Sequence, residues 1–135
     1  MLREEHIDNI FDGDSLLFLG AGFSRNTKNS NKEALPLTRD LSNLLQKLSG
    51  IEAESIDENL NVQQTSEYFI EKNGSEELVR LLKKQFTVTT SENWQNNLAS
   101  LKWKRVYTTN YDNVFEVASN VAKVHRYAVD ITNKD

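Results

Sequence analysis

Two short strings, each placed where a β-prone run ends, constrain the fold of this chain more than any other feature. The first, Gly20-Ala21-Gly22-Phe23-Ser24, follows the apolar run Ser15-Leu16-Leu17-Phe18-Leu19, and the second, Thr108-Thr109-Asn110-Tyr111-Asp112, follows Val106 and Tyr107. A buried strand that turns at residues with little or no side chain lets backbone amides approach a phosphate closely. A strand that ends in an amide and a carboxylate puts polar side chains at its carboxyl end, the edge at which open α/β sheets bind ligands. If the two strands are neighbours, both strings open onto one crevice.

The remaining pattern is that of an α/β chain with a helical middle. Ile7, Ile10 and Phe11 mark one face of a first helix closed by Gly13, and a strand over Asp14 to Leu19 is apolar enough to be covered on both faces. The stretch from Asn26 to Glu33 holds no apolar residue and reads as a mobile surface loop. After Pro36, Leu37, Leu41, Leu44, Leu45 and Leu48 recur at helical spacing until Gly50. A polar connector from Glu52 to Asn61 leads to a helix with Val62, Ser66, Phe69 and Ile70, ending at Asn73-Gly74. Ser75-Glu76-Glu77 caps the next, which carries Leu78, Leu81, Leu82 and Phe86; another starts near Ser91-Glu92, with Trp94, Leu98 and Leu101 on one face. Strand character returns over Trp103 to Thr109 and Val124 to Ile131, flanking a helix marked by Tyr111, Val114, Phe115, Ala118 and Val121. The right-handed crossover of such a unit implies parallel pairing. The expected architecture is a Rossmann-like parallel sheet with a helical insertion at about residues 37–101. Three strands would leave unpaired edges, so the chain reads as the amino-terminal portion of a longer domain.

Composition narrows the function. In 135 residues with a formal net charge of −4, Lys and Arg are interspersed with Asp and Glu, which argues against nucleic acid as a partner. With no cysteine and two separate histidines, neither a disulfide nor a thiolate-bound or structural zinc site is expected, and the cytoplasm is the natural compartment. The longest apolar stretch, Leu16 to Leu19, is too short to span a bilayer, and the Arg-Glu-Glu start lacks a signal-peptide core.

Each string also has a plain structural reading. The glycines serve a tight turn anywhere, and Arg25 stands where the third glycine of the dinucleotide fingerprint belongs, which weakens a dehydrogenase reading. Asn110 and Asp112 are good helix caps, and Asp112 can cap while Asn110 faces a ligand. His125 shares a strand face with Tyr127, Val129 and Ile131 and is expected to pack in the core; His6 is expected to be solvated.

Taken together, Gly20 to Ser24, Leu35-Pro36 and Thr108 to Asp112 resemble the amino-terminal motifs of the sirtuin-like family, in particular its divergent bacterial branch. There the asparagine of a T-x-N-Y-D string belongs to an NAD-cleaving site, and the domain is often an effector of anti-phage defence. The resemblance extends from the first strand to about Asp130. It departs from deacetylating sirtuins at Pro36-Leu37-Thr38-Arg39, where the family's P-D-F-R string keeps only its proline and arginine, which argues against protein deacetylation. The family's catalytic histidine, commonly followed by glycine, lies later, so its role does not pass to His125, and the real one is expected beyond Asp135.

The resemblance implies NAD as substrate, no metal, cofactor contacts from Gly20, Ala21, Gly22, Phe23, Ser24, Asn110, Tyr111 and Asp112, and a catalytic role for Asn110. Gly20 to Gly22 would cradle the pyrophosphate with Ser24 adding a donor, while Asn110 would address the ribose or the attacking water. Asp112 would meet the nicotinamide carboxamide or the developing cation, with Phe23 and Tyr111 as walls. A homo-oligomer or further domains are expected as partners, and the isolated segment, with half of such a pocket, is expected to bind poorly and turn over nothing. The principal alternative is a sensor that binds NAD, ADP-ribose or a derived signalling nucleotide without cleaving it. A third is an interaction domain assembled through the helices between Leu37 and Leu101.

Overall fold

The computed structural model describes residues 2–127 and 129. Its centre is a parallel pair of strands, β1 (Leu16–Leu19) and β2 (Arg105–Thr108), in register Leu16 with Arg105 through Leu19 with Thr108. Alternation along each strand sends Leu17, Leu19 and Val106 into one core, together with Phe23, Val88 and Val114. The other face is open: Phe18 is 73% exposed and stacks on its register partner Tyr107 with ring centroids 5.0 Å apart. The expectation of cover on both faces of β1 therefore fails for the described residues.

Six α-helices accompany the strands among the described residues: α1 (Glu4–Phe11), α2 (Thr38–Leu48), α3 (Val62–Asn73), α4 (Ser75–Phe86), α5 (Asn93–Ser100) and α6 (Val114–Val121). The chain is thus mixed α/β, and the helical middle lies where the leucine spacing predicts it. α1 ends at Gly13, α2 at Gly50 and α3 at Gly74, each with a φ between 80° and 90° inclusive to the nearest degree (81°, 90° and 90°). That conformation suits glycine and stops a helix. A reciprocal capping box starts α3, with Asn61 Oδ1 accepting from Gln64 N at 2.9 Å and Gln64 Oε1 accepting from Asn61 N at 3.1 Å. Leu41, Leu45, Phe69 and Phe86 form a second core among α2, α3 and α4. Phe86 belongs to this core and Val88 to the one beneath the strands, so the short segment after α4 joins the two.

One loop and one strand expectation are corrected. The stretch from Asn26 to Glu33 is pinned down: Thr27 and Asn29 are buried, and Asn29 Oδ1 accepts from the amides of Asn31 and Glu33. A polar loop can be this well fixed because its own side chains satisfy its backbone. At the other end, Val124 to Tyr127 form no strand, and His125 is exposed rather than packed. The rest of the expected strand, including Ala128, Asp130 and Ile131, lies outside the described residues apart from the exposed Val129. Arg126 ties this segment back by donating to Ser119 Oγ at 3.0 Å and to the Leu101 carbonyl at 2.9 Å, and its partial burial lowers its pKa.

The helical core sets a direct expectation for stability. Leu45 is 0% exposed and Leu48, one turn on, is 47% exposed. Leu45→Ala should destabilise the fold by about 2–5 kcal/mol through lost burial and a cavity. Leu48→Ala should stay within about 1 kcal/mol of the unaltered protein. Urea unfolding midpoints measure both, and equal shifts would place the core elsewhere.

Candidate functional site

Parallel pairing carries the chain out of β1 and β2 in the same direction, and the pairing continues one step further through Thr109 N donating to the Leu19 carbonyl at 3.4 Å. The two strings consequently emerge side by side. Ala21–Ser24 forms a single 3₁₀ turn whose first i to i−3 bond runs from Phe23 N to the Gly20 carbonyl at 3.0 Å. The amides of Ala21 and Gly22 precede that bond, so the turn itself offers them no acceptor.

Three side chains lock the strings together. Ser24 Oγ donates to Asp112 Oδ2 at 2.6 Å, a short charge-assisted bond between residues 88 positions apart. Asn110 Nδ2 donates to the Gly20 carbonyl at 2.8 Å and lies 3.5 Å from Ser24 Oγ. Asp112 Oδ1 accepts from Val114 N, the first amide of α6, at 3.0 Å, from one position before the N-cap residue Asn113. Asp112 thus bonds the first amide of its helix and also holds the glycine turn. Ser24 is 7% exposed, whereas Gly20, Ala21 and Gly22 lie at the surface and Asn110 and Asp112 are half-buried.

The glycines at 20 and 22 differ from the helix-ending ones. Neither has a positive φ, and a Cβ built on either meets no atom within 4 Å. Neither turn geometry nor packing within the described chain calls for a residue without a side chain here. Close approach by another molecule is the remaining classical use of glycine at such an edge. The other two residues named from the resemblance are placed differently from one another. Phe23 is 6% exposed and wedged edge-on against Trp94 and Phe115, at 5.4 and 5.7 Å between centroids, so its ring supports the turn from inside the core. Tyr111 is 70% exposed, with its ring 5.8 Å from that of Phe86.

Residues that sequence reasoning missed hold the turn from behind. Gln95, 0% exposed, donates through Nε2 to the Phe23 carbonyl at 2.7 Å and to Thr27 Oγ1 at 3.0 Å. Its signal was present: Gln95, Leu98 and Ala99 share a helix face, and a glutamine on an apolar stripe must find partners if it is buried. Asn113 makes a reciprocal pair with Val88, accepting from Val88 N at 2.7 Å and donating to its carbonyl at 3.2 Å. Ser30 N and Oγ both donate to the neighbouring Thr87 carbonyl, at 2.9 and 3.0 Å. The linker after α4 is therefore stitched to the continuation of both strings.

A surface groove of about 330 Å³ runs between α4 and the Tyr111–Asn113 turn, with Asp112 on its wall. A second hollow of about 280 Å³, bordered by Leu48, Phe69 and Arg80, contains no residue of either string. Among the described residues no cluster of three or more His, Asp or Glu is placed to hold a metal ion, and no helix is long and apolar enough to cross a membrane.

Compared with protein-family models, curated proteins and solved structures, the chain matches none. The site rests on its own geometry.

Asn113 provides the test of that geometry. Asn113→Ala strips both partners from a Val88 backbone whose residue is 2% exposed, and should cost about 1–3 kcal/mol for the stranded groups. Asn120→Ala, at an exposed position, should leave the chemical-denaturation midpoint unchanged. A neutral Asn113→Ala would show that the linker is held by other contacts.

Proposed function

We propose that this chain supplies the nucleotide-binding edge of a sirtuin-like, Rossmann-type domain that hydrolyses NAD to nicotinamide and ADP-ribose, serving bacterial anti-phage defence by depleting NAD. The observation that supports this reading best is the hydrogen-bonded union of Gly20, Ser24, Asn110 and Asp112 at the carboxyl end of a parallel strand pair. Ligands of open α/β sheets lie at that edge.

In this reading the diphosphate rests against the open backbone of Gly20 to Gly22, where the amides of Ala21 and Gly22 donate to it. Ser24 serves through Asp112 rather than as a free phosphate donor, because its hydroxyl is already given to that carboxylate. The amide nitrogen of Asn110 is committed to Gly20, which leaves Oδ1 to accept from a ribose hydroxyl or from the attacking water. Asp112 retains lone pairs for the nicotinamide carboxamide or for the positive charge that grows on the ribose. As water adds to the anomeric carbon, the carbon–nitrogen bond breaks and its electron pair passes to the nicotinamide nitrogen. The water loses a proton, and nicotinamide, ADP-ribose and H⁺ result. Positioning dominates such a step, so a preformed and cross-linked edge suits it. A sensor that holds NAD or ADP-ribose would use the same edge and differ only in releasing no product.

The glycines separate ligand binding from folding. Gly22→Val should leave the melting temperature without ligand within about 2 °C, given the open space around it, yet abolish the rise produced by saturating NAD or ADP-ribose. An undiminished ligand shift in that variant contradicts the diphosphate assignment. Chromatography of NAD incubated with the protein distinguishes the two forms of the reading. Nicotinamide release supports hydrolysis, and binding without release supports the sensor.

A further inference from the structure

We infer that the groove between α4 and the Tyr111–Asn113 turn receives the heteroaromatic base of the nucleotide whose diphosphate lies against the glycines; this inference rests on the nucleotide reading above. α4 would thereby belong to the ligand site as well as to the helical core.

The groove adjoins the site through one residue. Asp112 lines it while its carboxylate is bonded to Ser24, and Tyr111, which also lines it, follows in the chain Asn110, whose amide reaches Gly20. The groove therefore borders the edge formed by Gly20, Ser24 and Asn110, with Asp112 common to both. The walls are of the right chemistry. Tyr111 keeps 70% of its surface in solvent although it touches Phe86, and so puts an exposed aromatic ring on the groove wall. Val79, half exposed, and Leu82 line the α4 side beside Phe86. Lys83 and Glu116 also border the groove, a donor and an acceptor for the polar edge of a base.

The spacing between the walls is built in. The two hydrogen bonds of Asn113 to Val88 fix the turn against the end of α4, and the contact of Phe86 with Tyr111 repeats that link two residues earlier. At about 330 Å³ the groove is within the usual size of small-molecule sites, which are mostly apolar with a few convergent polar groups. Aromatic stacking is tolerant of which base is present, so adenine and nicotinamide share this chemistry.

Isothermal titration of the full chain with NAD, ADP-ribose and nicotinamide mononucleotide tests the inference, using Tyr111→Ala, Tyr111→Phe and Val79→Trp. Val79→Trp fills the groove from an exposed position, and circular dichroism checks that each variant folds. Tyr111→Ala and Val79→Trp should each weaken NAD binding about tenfold, with Tyr111→Phe close to the unaltered protein. A matching loss for ADP-ribose identifies the base as adenine, and one for nicotinamide mononucleotide identifies it as nicotinamide. NAD binding that is sensitive to Gly22→Val but indifferent to both groove variants overturns the groove and spares the nucleotide reading. Failure of all three ligands to bind the unaltered protein overturns both.

Discussion

The hydrogen bond from Ser24 to Asp112 holds together what the strand pair only brings near. Parallel pairing of β1 with β2 sends both segments out at one edge, but two loops leaving a sheet are free to splay. A 2.6 Å bond to a carboxylate, backed by Asn110 on the Gly20 carbonyl, turns the two exits into one surface. The same carboxylate accepts from the first amide of α6, so the start of the helix and the glycine turn meet at one side chain. Because Ser24 is nearly buried, its hydroxyl must be partnered, and losing Asp112 would strand it.

Around this link the middle of the chain acts as a brace. Gln95 of α5 reaches the turn from below, the last turn of α4 is fastened to Asn29, and the residues after it to Ser30 and Asn113. Those fasteners are almost all amide or hydroxyl side chains bonded to backbone. Such contacts give orientation as well as modest net stability, since each is satisfied only at one relative placement of the segments. The open surroundings of Gly20 and Gly22 stand out against so well-tied a framework. A loop fixed on its inner side and bare on its outer side is a preorganised edge, the form that the proposed diphosphate contact requires.

Much of this arrangement is legible in the residues. Helical periodicity placed the helices from α2 to α5, glycines marked three helix ends, and the strand pair appeared where apolar runs met the two strings. The misses have physical causes. Leu16 and Phe18 are as apolar as Leu17 and Leu19, so composition along β1 did not reveal that one face stays open. The segment from Asn26 to Glu33 is polar because its side chains bond the loop to itself and to the end of α4, and polarity alone resembles mobility. β-branched residues near Val124 carry strand preference, yet the described part of that stretch follows α6 as coil held by Arg126. The site residues were recognisable as two strings, whereas the partners behind them, Gln95 and Asn113, depend on packing between distant segments.

The central claim is that residues near 20 and near 110 form one nucleotide-binding edge. Titrating ¹⁵N-labelled protein with NAD while following its amide resonances tests it residue by residue. The account predicts that the largest shifts fall together on Ala21, Gly22 and the amides from Asn110 to Asp112, saturating along a single binding curve. Shifts confined to α2 and α3, or a spectrum unchanged at saturating NAD, would contradict it.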